Sequence, residues 1–408
     1  MDVGGTPVAA HPAPERESIQ DTGRGPGYAG PFHLVQLLVV QGAVVLVVLA
    51  ASHPTAASAG GAAAAVAMVA AVLTRLDKRW MVERIELRWR LGRRHRWERS
   101  LRRARGGSVN GVTEPGRLLL ELRRVAPGLS VGAVTGSDGV RIGVGRDGEG
   151  WFAAAVMQPS APMRDDPRPS LPTDELLSLI EEAACPGAVL QVVTHTVPAQ
   201  GGAAAPNRQP PDRSGPIPIE RVTWIVVRLD ARSLAVLGAD PARTAGQADA
   251  VVATLIRRQA KALRDMGLTT QVLDPEGLLA ALAHSVGLDR PAAAADLREH
   301  WISWPANDLA HATFWIREWP PPQRIGRLLD ALAVTPATLT SVAITMTADG
   351  DDALVRCLVR VAAPRRRLSQ VCAAVVGVAR ADGAGLSRLD GQHAPAVYAS
   401  APTGGSVR

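Results

Sequence analysis

Cysteine is scarce in this chain. There are three, Cys185, Cys357 and Cys372, in 408 residues. Their wide spacing forms no CxxC pair and no zinc-ligand pattern, which leaves buried free thiols in a reducing compartment. Lysine is also rare: positive charge is carried almost entirely by arginine. Nucleotide-binding motifs are missing. No GxxxxGK[ST] occurs, and no GxGxxG stands between a strand and a helix. Gly143, Gly145, Gly148 and Gly150 cluster around a hairpin, which offers no helix N-terminus to a phosphate. The histidines His195, His284, His300, His311 and His393 form no HxxxH or HExxH pair. These absences leave no constellation able to run acid, base or covalent chemistry, and no cofactor or metal is expected.

Charge is the next thing to locate. The formal net charge is +7. Between Arg75 and Arg105 there are thirteen Arg or Lys and four Asp or Glu, a local excess of +9. The rest of the chain is therefore slightly acidic, at −2. A partner attracted by positive charge, whether lipid or nucleic acid, must meet this one block.

Two long apolar runs precede it. Residues 34–51, LVQLLVVQGAVVLVVLAA, hold no charge, and eighteen helical residues span about 27 Å. Residues 56–73, AASAGGAAAAVAMVAAVL, are also uncharged, but alanine buries little area. Ser52, His53, Pro54 and Thr55 make a very short link, so the two runs predict an antiparallel hairpin. Gly60, Gly61 and the alanines at 62–65 allow close helix packing. The first run begins too late and is too long for a signal peptide. Arginines follow directly after the second run. Positive residues stay on the cytosolic side, so the N-terminal tail and the large C-terminal part are both expected in the cytosol of a two-pass protein.

The basic block, WMVERIELRWRLGRRHRWERSLRR from Trp80, reads as a juxtamembrane helix. Trp80, Arg84, Arg88, Trp89, Arg93, Arg94 and Trp97 are its candidate contacts with the membrane interface or a docking partner. Tryptophan suits the headgroup layer, and each basic residue near an anionic surface contributes about 1 kcal/mol. The rival reading of the block is a nucleic-acid-binding arm.

The expected organisation is a disordered tail over 1–30, two membrane helices over 31–74 and a basic helix over 75–105. A linker over 106–116 leads to an α/β domain over 117–403, and 404–408 is a loose tail. Within the domain, alternation and turn chemistry predict strands at 129–134, 140–144, 151–157, 189–197, 224–229, 269–273, 312–319, 338–346 and 353–361. Asp147-Gly148 predicts a hairpin turn. Helices are predicted at 174–184, 247–266, 276–286, 323–332 and 368–379, with Gly267 and Gly287 as stops. Residues 198–218, rich in proline, read as a loop, and 388–398 as another. The order of elements implies one domain with a mixed sheet. No internal repeat of fixed period is visible.

The nearest approach to a site is acidic. Asp138, Asp147, Asp230 and Asp274 stand at or near strand ends, where they serve either as turn and helix caps or as ligands to a metal or sugar nucleotide. His300, Trp301, Trp304, His311 and Trp315 are crowded locally and read as a packed edge or an interface.

Several stretches together resemble the EccE component of actinobacterial type VII (ESX) secretion systems. They are the early apolar hairpin, KRWMVERIELRWRLGRRHR, VRIGVGRDGEGW, RVTWIVVRLD, MGLTTQVLDPEGL, HATFWIREWP and RLDGQHAPAVYAS. The resemblance spans roughly residues 31–403. It implies a non-enzymatic structural subunit at the periphery of an inner-membrane complex, beside EccB, EccC and EccD. It also implies a soluble fold similar to glycosyltransferase-like α/β domains. A membrane-anchored transferase using a nucleotide-sugar is the alternative reading.

Overall fold

The computed structural model describes residues 28–29, 32–52, eight positions between 60 and 70, 74–76, 79–104, 113–136, 138–158, 188–198, 219–231, 241–288, 298–349 and 352–407. The expected helix at 174–184, residues 199–218 of the expected loop, Cys185 and most of the N-terminal tail lie outside them, while Pro198 ends a strand.

Helix α1 is Leu34–Ser52, nineteen residues without a charged side chain. In the second run, the described positions between 60 and 70 are all helical. A Cβ on Gly61 would lie 3.7 Å from Leu46 Cδ2, so the two helices run side by side. Ala43 and Ala65 are buried. Among the described residues no helix is long and apolar enough to cross a membrane. Side-chain surroundings in α1 are described only for 40–48 and 52, so the two spans rest on the sequence. A two-residue pairing of Arg75–Leu76 with Arg79–Trp80 comes next. Helix α2, Met81–Ala104, therefore starts later than the basic block does.

Helix α3 is Glu114–Leu122 and begins inside the expected linker, with Pro115 in its first turn. An eleven-stranded sheet follows. Its first strands are β1 (Ser130–Thr135), β2 (Arg141–Asp147), β3 (Gly150–Met157), β4 (Ala188–Pro198) and β5 (Ile219–Asp230). Then come α4 (Pro241–Asp265), β6 (Thr270–Val272) and α5 (Pro275–Val286). The second half has β7 (Trp304–Ala306), β8 (Leu309–Glu318), α6 (Pro322–Ala333), β9 (Leu339–Asp349) and β10 (Asp352–Pro364). It closes with α7 (Leu368–Ala381), β11 (Gly385–Arg388) and α8 (His393–Ala399).

The strand order is β7-β8-β10-β9-β4-β5-β3-β2-β1, with β6 beside β3 and β11 beside β8. Every pairing is antiparallel. This corrects the mixed sheet expected from the alternation of strands and helices. The reason lies in where the crossovers land. Helix α6 leads from β8 to β9, but β10 inserts between those two strands and runs opposite to both.

The sheet is a tandem of two like units. One is β8-α6-β9-β10-α7-β11-α8. The other is β3, then β4-β5-α4-β6-α5, with 159–187 outside the described residues. One row of paired residues crosses the sheet: Gln271, Val156, Trp224, Val193, Ala343, Leu358, Trp315, Ser387. It is symmetric about the Val193–Ala343 pair. Smaller details repeat as well. Leu273 N–H donates to Ala154 O at 3.0 Å, and Leu389 N–H to Thr313 O at 2.9 Å. The separation of equivalent positions shrinks from 159 residues at the first strand of each unit to 116 at the last. A search for a fixed period cannot find such a repeat.

Helices cover both faces. Val252, Ile256 and Leu263 of α4 bury one face of the first unit, against Ile225 and Val227. Leu328 of α6 and Val371 and Val375 of α7 do the same for the second, against Val359 and Val361. The other face carries α3, α5 and α8 over Trp224, Val193, Ala343 and Leu358.

The C-terminal end differs from expectation twice. Residues 388–398 are not a loop: they end β11, turn at Asp390-Gly391 and form α8. Residues 404–407 are not a loose tail. Gly404 N–H donates to buried Gln191 Oε1 at 2.8 Å, and Gln191 Nε2 donates to Ala399 O at 2.7 Å. Ser341 Oγ donates to Ser400 O at 3.2 Å. These polar side chains of β4 and β9 meet backbone groups that strands and helices would otherwise have satisfied.

The β2–β3 hairpin shows why its turn residues are needed. Asp147 Oδ1 accepts the N–H groups of Glu149 and Gly150, both at 2.9 Å. A Cβ on Gly150 would overlap the Leu229 carbonyl oxygen. That obstacle is backbone of a central strand and cannot rotate away. Gly150→Ala is expected to destabilise the domain by about 2–3 kcal/mol, read as a lower urea midpoint at unchanged slope.

Candidate docking site

Helix α2 has one face clamped to the domain. Arg94 Nε donates to Glu299 Oε2 at 2.9 Å, and its Nη2 donates to Gly391 O at 2.5 Å. His95 Nε2 lies 2.8 Å from Glu299 O, and Arg298 Nη2 is 3.3 Å from His95 Nδ1. The Arg298 contact makes Nδ1 the acceptor, so Nε2 carries the proton that goes to the carbonyl. The guanidinium carbons of Arg84 and Arg88 lie 5.7 and 5.5 Å from the Trp301 ring centre, within cation–π range. Leu87 and Leu91 are buried beneath this face.

The receiving pocket is built by tertiary contact. The Glu299 side chain is fully buried, and its Oε1 accepts the Ala394 N–H at 3.1 Å, capping α8 from a distance in the chain. Gly391 has φ 74°. It donates its N–H to Trp301 O at 2.7 Å, and a Cβ there would lie 2.6 Å from the Trp301 ring. Glycine is thus required for both conformation and space.

The candidate residues therefore divide. Arg84, Arg88 and Arg94 face the domain. Trp89, 58% exposed, and Trp97, 39% exposed, face outward together with Ile85, and Arg93 stacks 5.1 Å from the Trp89 ring. Trp80 ends the short strand before α2, and its side chain lies outside the described residues. Sequence reading missed Glu299 as the anchor. Its neighbour Trp301 was flagged only as part of a crowded segment.

The four acidic strand ends do not converge on one site: Asp147 and Asp230 lie on either side of Gly150, whereas Asp138 and Asp274 are engaged elsewhere. Asp138 pairs with Arg257 at 2.5 Å on the surface. Asp274 caps α5, accepting the Gly277 N–H at 2.8 Å. Asp147 makes a bidentate pair with Arg228, both bonds 2.8 Å, and accepts the Tyr398 hydroxyl at 2.9 Å. Asp230 lines a cavity of about 310 Å³ with Glu149, Arg228 and Arg356. Among the described residues no group of three or more His, Cys, Asp or Glu could hold a metal ion. One further motif has catalytic spacing: Gly128-Leu129-Ser130-Val131-Gly132 reads GxSxG. Ser130, however, opens the edge strand β1 opposite Arg146, and no helix follows it as a nucleophile elbow requires.

His195, His284 and His311 gather near a buried cation, whereas His300 meets Arg365 at 3.1 Å on the surface and His393 accepts the Thr313 N–H at 3.3 Å. Arg360 is fully buried and donates to Ser400 Oγ at 2.8 Å and Ser285 Oγ at 3.1 Å. Its Nη1 lies 3.2 Å from His311 Nδ1. Burial lowers the Arg360 guanidinium to about 9. Burial, reinforced by the Arg360 charge, holds His195 and His311 well below the usual imidazole range, so both are neutral. The His195 and His284 rings are 5.1 Å apart. A divalent ion there would sit beside a cation that has no carboxylate among its hydrogen-bond partners, which disfavours it. The network ties β10, α5, β8 and the C-terminal segment together.

The chain is thus an antiparallel α/β/α domain whose polar interior holds its own segments in place, preceded by a basic helix with one bound and one open face. Residues 217–316, from β5 into β8, match the family described as "Putative type VII ESX secretion system translocon, EccE". That segment is about a quarter of the chain, and it agrees with the resemblance to EccE drawn from the sequence. No curated protein matches. A structural comparison pairs the chain with the crystal structure of aspartate kinase from Synechocystis at 12% identity. That match covers 58% of this chain and 43% of the kinase chain, and its TM-score of 0.17 supports no argument.

Proposed function

We propose that this protein is a structural subunit of a type VII secretion inner-membrane complex, placed at its periphery and stabilising the assembled export machinery. The observation that carries the reading is the EccE match across the centre of the domain. In this reading the partners are EccB, EccC and EccD together with anionic lipids, and the chain does no catalysis. Two N-terminal helices anchor it, with the tail and the domain both in the cytosol. What supports the anchor is the uncharged α1, the small-residue seam at Ala43 and Ala65, and the outward valines: Val44, Val45, Val48 and Val66 are each more than half exposed. An apolar surface of that kind is tolerated when lipid covers it. The helix carrying Trp80, Arg84, Arg88, Trp89, Arg93, Arg94 and Trp97 serves membrane and partner contact.

The alternative, a nucleotide-sugar transferase, would need acidic strand ends converging on one crevice. Asp138, Asp147 and Asp274 are each engaged with a different partner, and a sheet of antiparallel pairs has no parallel switch point for a nucleotide. No observation favours that reading. Mild detergent extraction is expected to bring the chain out in a large particle with other secretion subunits. A monodisperse monomer at every detergent strength would count against the scaffold.

A further inference from the structure

The two faces of α2 have different chemistry, and the geometry points to a division of labour between them: the inner face fixes the domain, and the outer face lies on an anionic lipid surface. This rests on the membrane attachment proposed above and assigns residues to it. At about 100° per residue, Ile85, Trp89, Arg93, Arg96 and Trp97 fall in one sector of about 120°, which also holds Glu86, its charge paired with Arg90. Arg84, Leu87, Arg88, Leu91, Arg94 and His95 fill a sector on the opposite side. The second set is the one that meets Glu299, Trp301 and Gly391. The first set is open: Ile85, Trp89 and Trp97 are exposed, as are Arg93 and Arg96.

The composition of the open face selects its occupant. Isolated apolar rings set among arginines match the headgroup layer, where the ring enters the acyl boundary and the guanidinium meets phosphate. Chain continuity gives the location. Helix α2 starts at Met81, eight residues after the second apolar run ends at residue 73. With the inner face clamped, the helix can present its outer face only by bringing the whole domain to the surface. Arg84 and Arg94, both half-buried, and Arg88, exposed but stacked on Trp301, are therefore positioning residues, and Ile85 and Arg96 join the lipid-facing set.

The test uses the full chain reconstituted in phosphatidylcholine vesicles containing brominated phosphatidylglycerol, with tryptophan quenching as the readout. Trp89→Phe with Trp97→Phe is expected to cut the lipid-quenchable emission roughly twofold or more, since two interfacial rings are removed. Trp319→Phe, packed against the α6–α7 core away from α2, is expected to leave it unchanged. Arg93→Glu with Arg96→Glu is expected to abolish the excess quenching by brominated phosphatidylglycerol over brominated phosphatidylcholine. Protein that fails to float with vesicles overturns both the attachment and this inference. Protein that floats normally with Trp89 and Trp97 unquenched overturns the face assignment alone. Protection of Trp89 only after assembly with other subunits also overturns it, in favour of a protein contact.

Discussion

Asp147→Ala is expected to destabilise the domain by about 3–5 kcal/mol, because it strands the Arg228 guanidinium inside the protein. Both side chains are nearly inaccessible, 5% exposed for Arg228 and 9% for Asp147. The aspartate also accepts two backbone N–H groups and the Tyr398 hydroxyl, so one substitution removes the centre of a network joining the β2–β3 turn, β5 and α8. Arg228 further donates to Thr403 O at 3.2 Å, which extends the damage to the C-terminal segment. Replacing both members, Asp147→Leu with Arg228→Met, is expected to recover much of the loss, since no buried charge then remains. Urea midpoints of the single and double variants measure this coupling.

The same pair sets a pH dependence. Burial alone would raise the Asp147 carboxyl, but the Arg228 hydrogen bonds and charge, with the Glu149 and Tyr398 donors, outweigh it, and the net direction is downward. A carboxyl depressed in the folded state adds stability at pH above its unfolded value of about 4, and that stability disappears as pH falls through the folded value. The urea midpoint of the unmodified chain should therefore drop at acid pH. Asp147→Asn should lose that part of the slope and be less stable at neutral pH. An identical acid profile in the two proteins would mean that other carboxylates control the transition.

Glu299→Ala is expected to free α2 from the domain. The lost carboxylate serves Arg94 and the first turn of α8, and its removal leaves a charged donor and a buried N–H without their acceptor. A cost of about 2–3 kcal/mol corresponds to about 30- to 150-fold faster amide exchange along α2, while the core strands stay protected. If the clamp orients the domain at the membrane, the variant should still float with vesicles yet recover poorly with the secretion complex. Unchanged exchange in α2 would show that Trp301 and the buried leucines hold the helix without Glu299. Trp301→Ala is the informative partner, because it removes the ring under Arg84 and Arg88 and leaves the carboxylate in place.

Much of the local structure could be read from residues close together in the chain. Asp147-Gly148 marked the β2–β3 turn, which pairs Asp147 with Gly150. Pro275 opened α5, and Gly287, with φ 76°, closed it. Alternation located β3, β4, β8, β9 and β10 to within three residues, because side-chain period is a property of the strand itself, while β5 begins five residues before the expected 224. The misreadings fell where a distant contact decides. Residues 388–398 lack a helix signal, yet Glu299 caps α8 and the sheet buries it. Asp147 looked like any strand-end carboxylate until β5 brought Arg228 beside it.

By itself, then, the sequence determined the apolar runs, the concentration of charge in one helix, the order and spacing of the elements, and the resemblance to a secretion family. Those are properties of neighbours along the chain. Tertiary structure decided that every strand pair is antiparallel, that two units share one register about Val193 and Ala343, and which arginines of α2 turn inward. Each depends on partners far apart, such as Arg94 and Glu299 at 205 residues' separation. The free energy that selects such partners comes from burial and from matching charges in a common interior, and no local pattern records it.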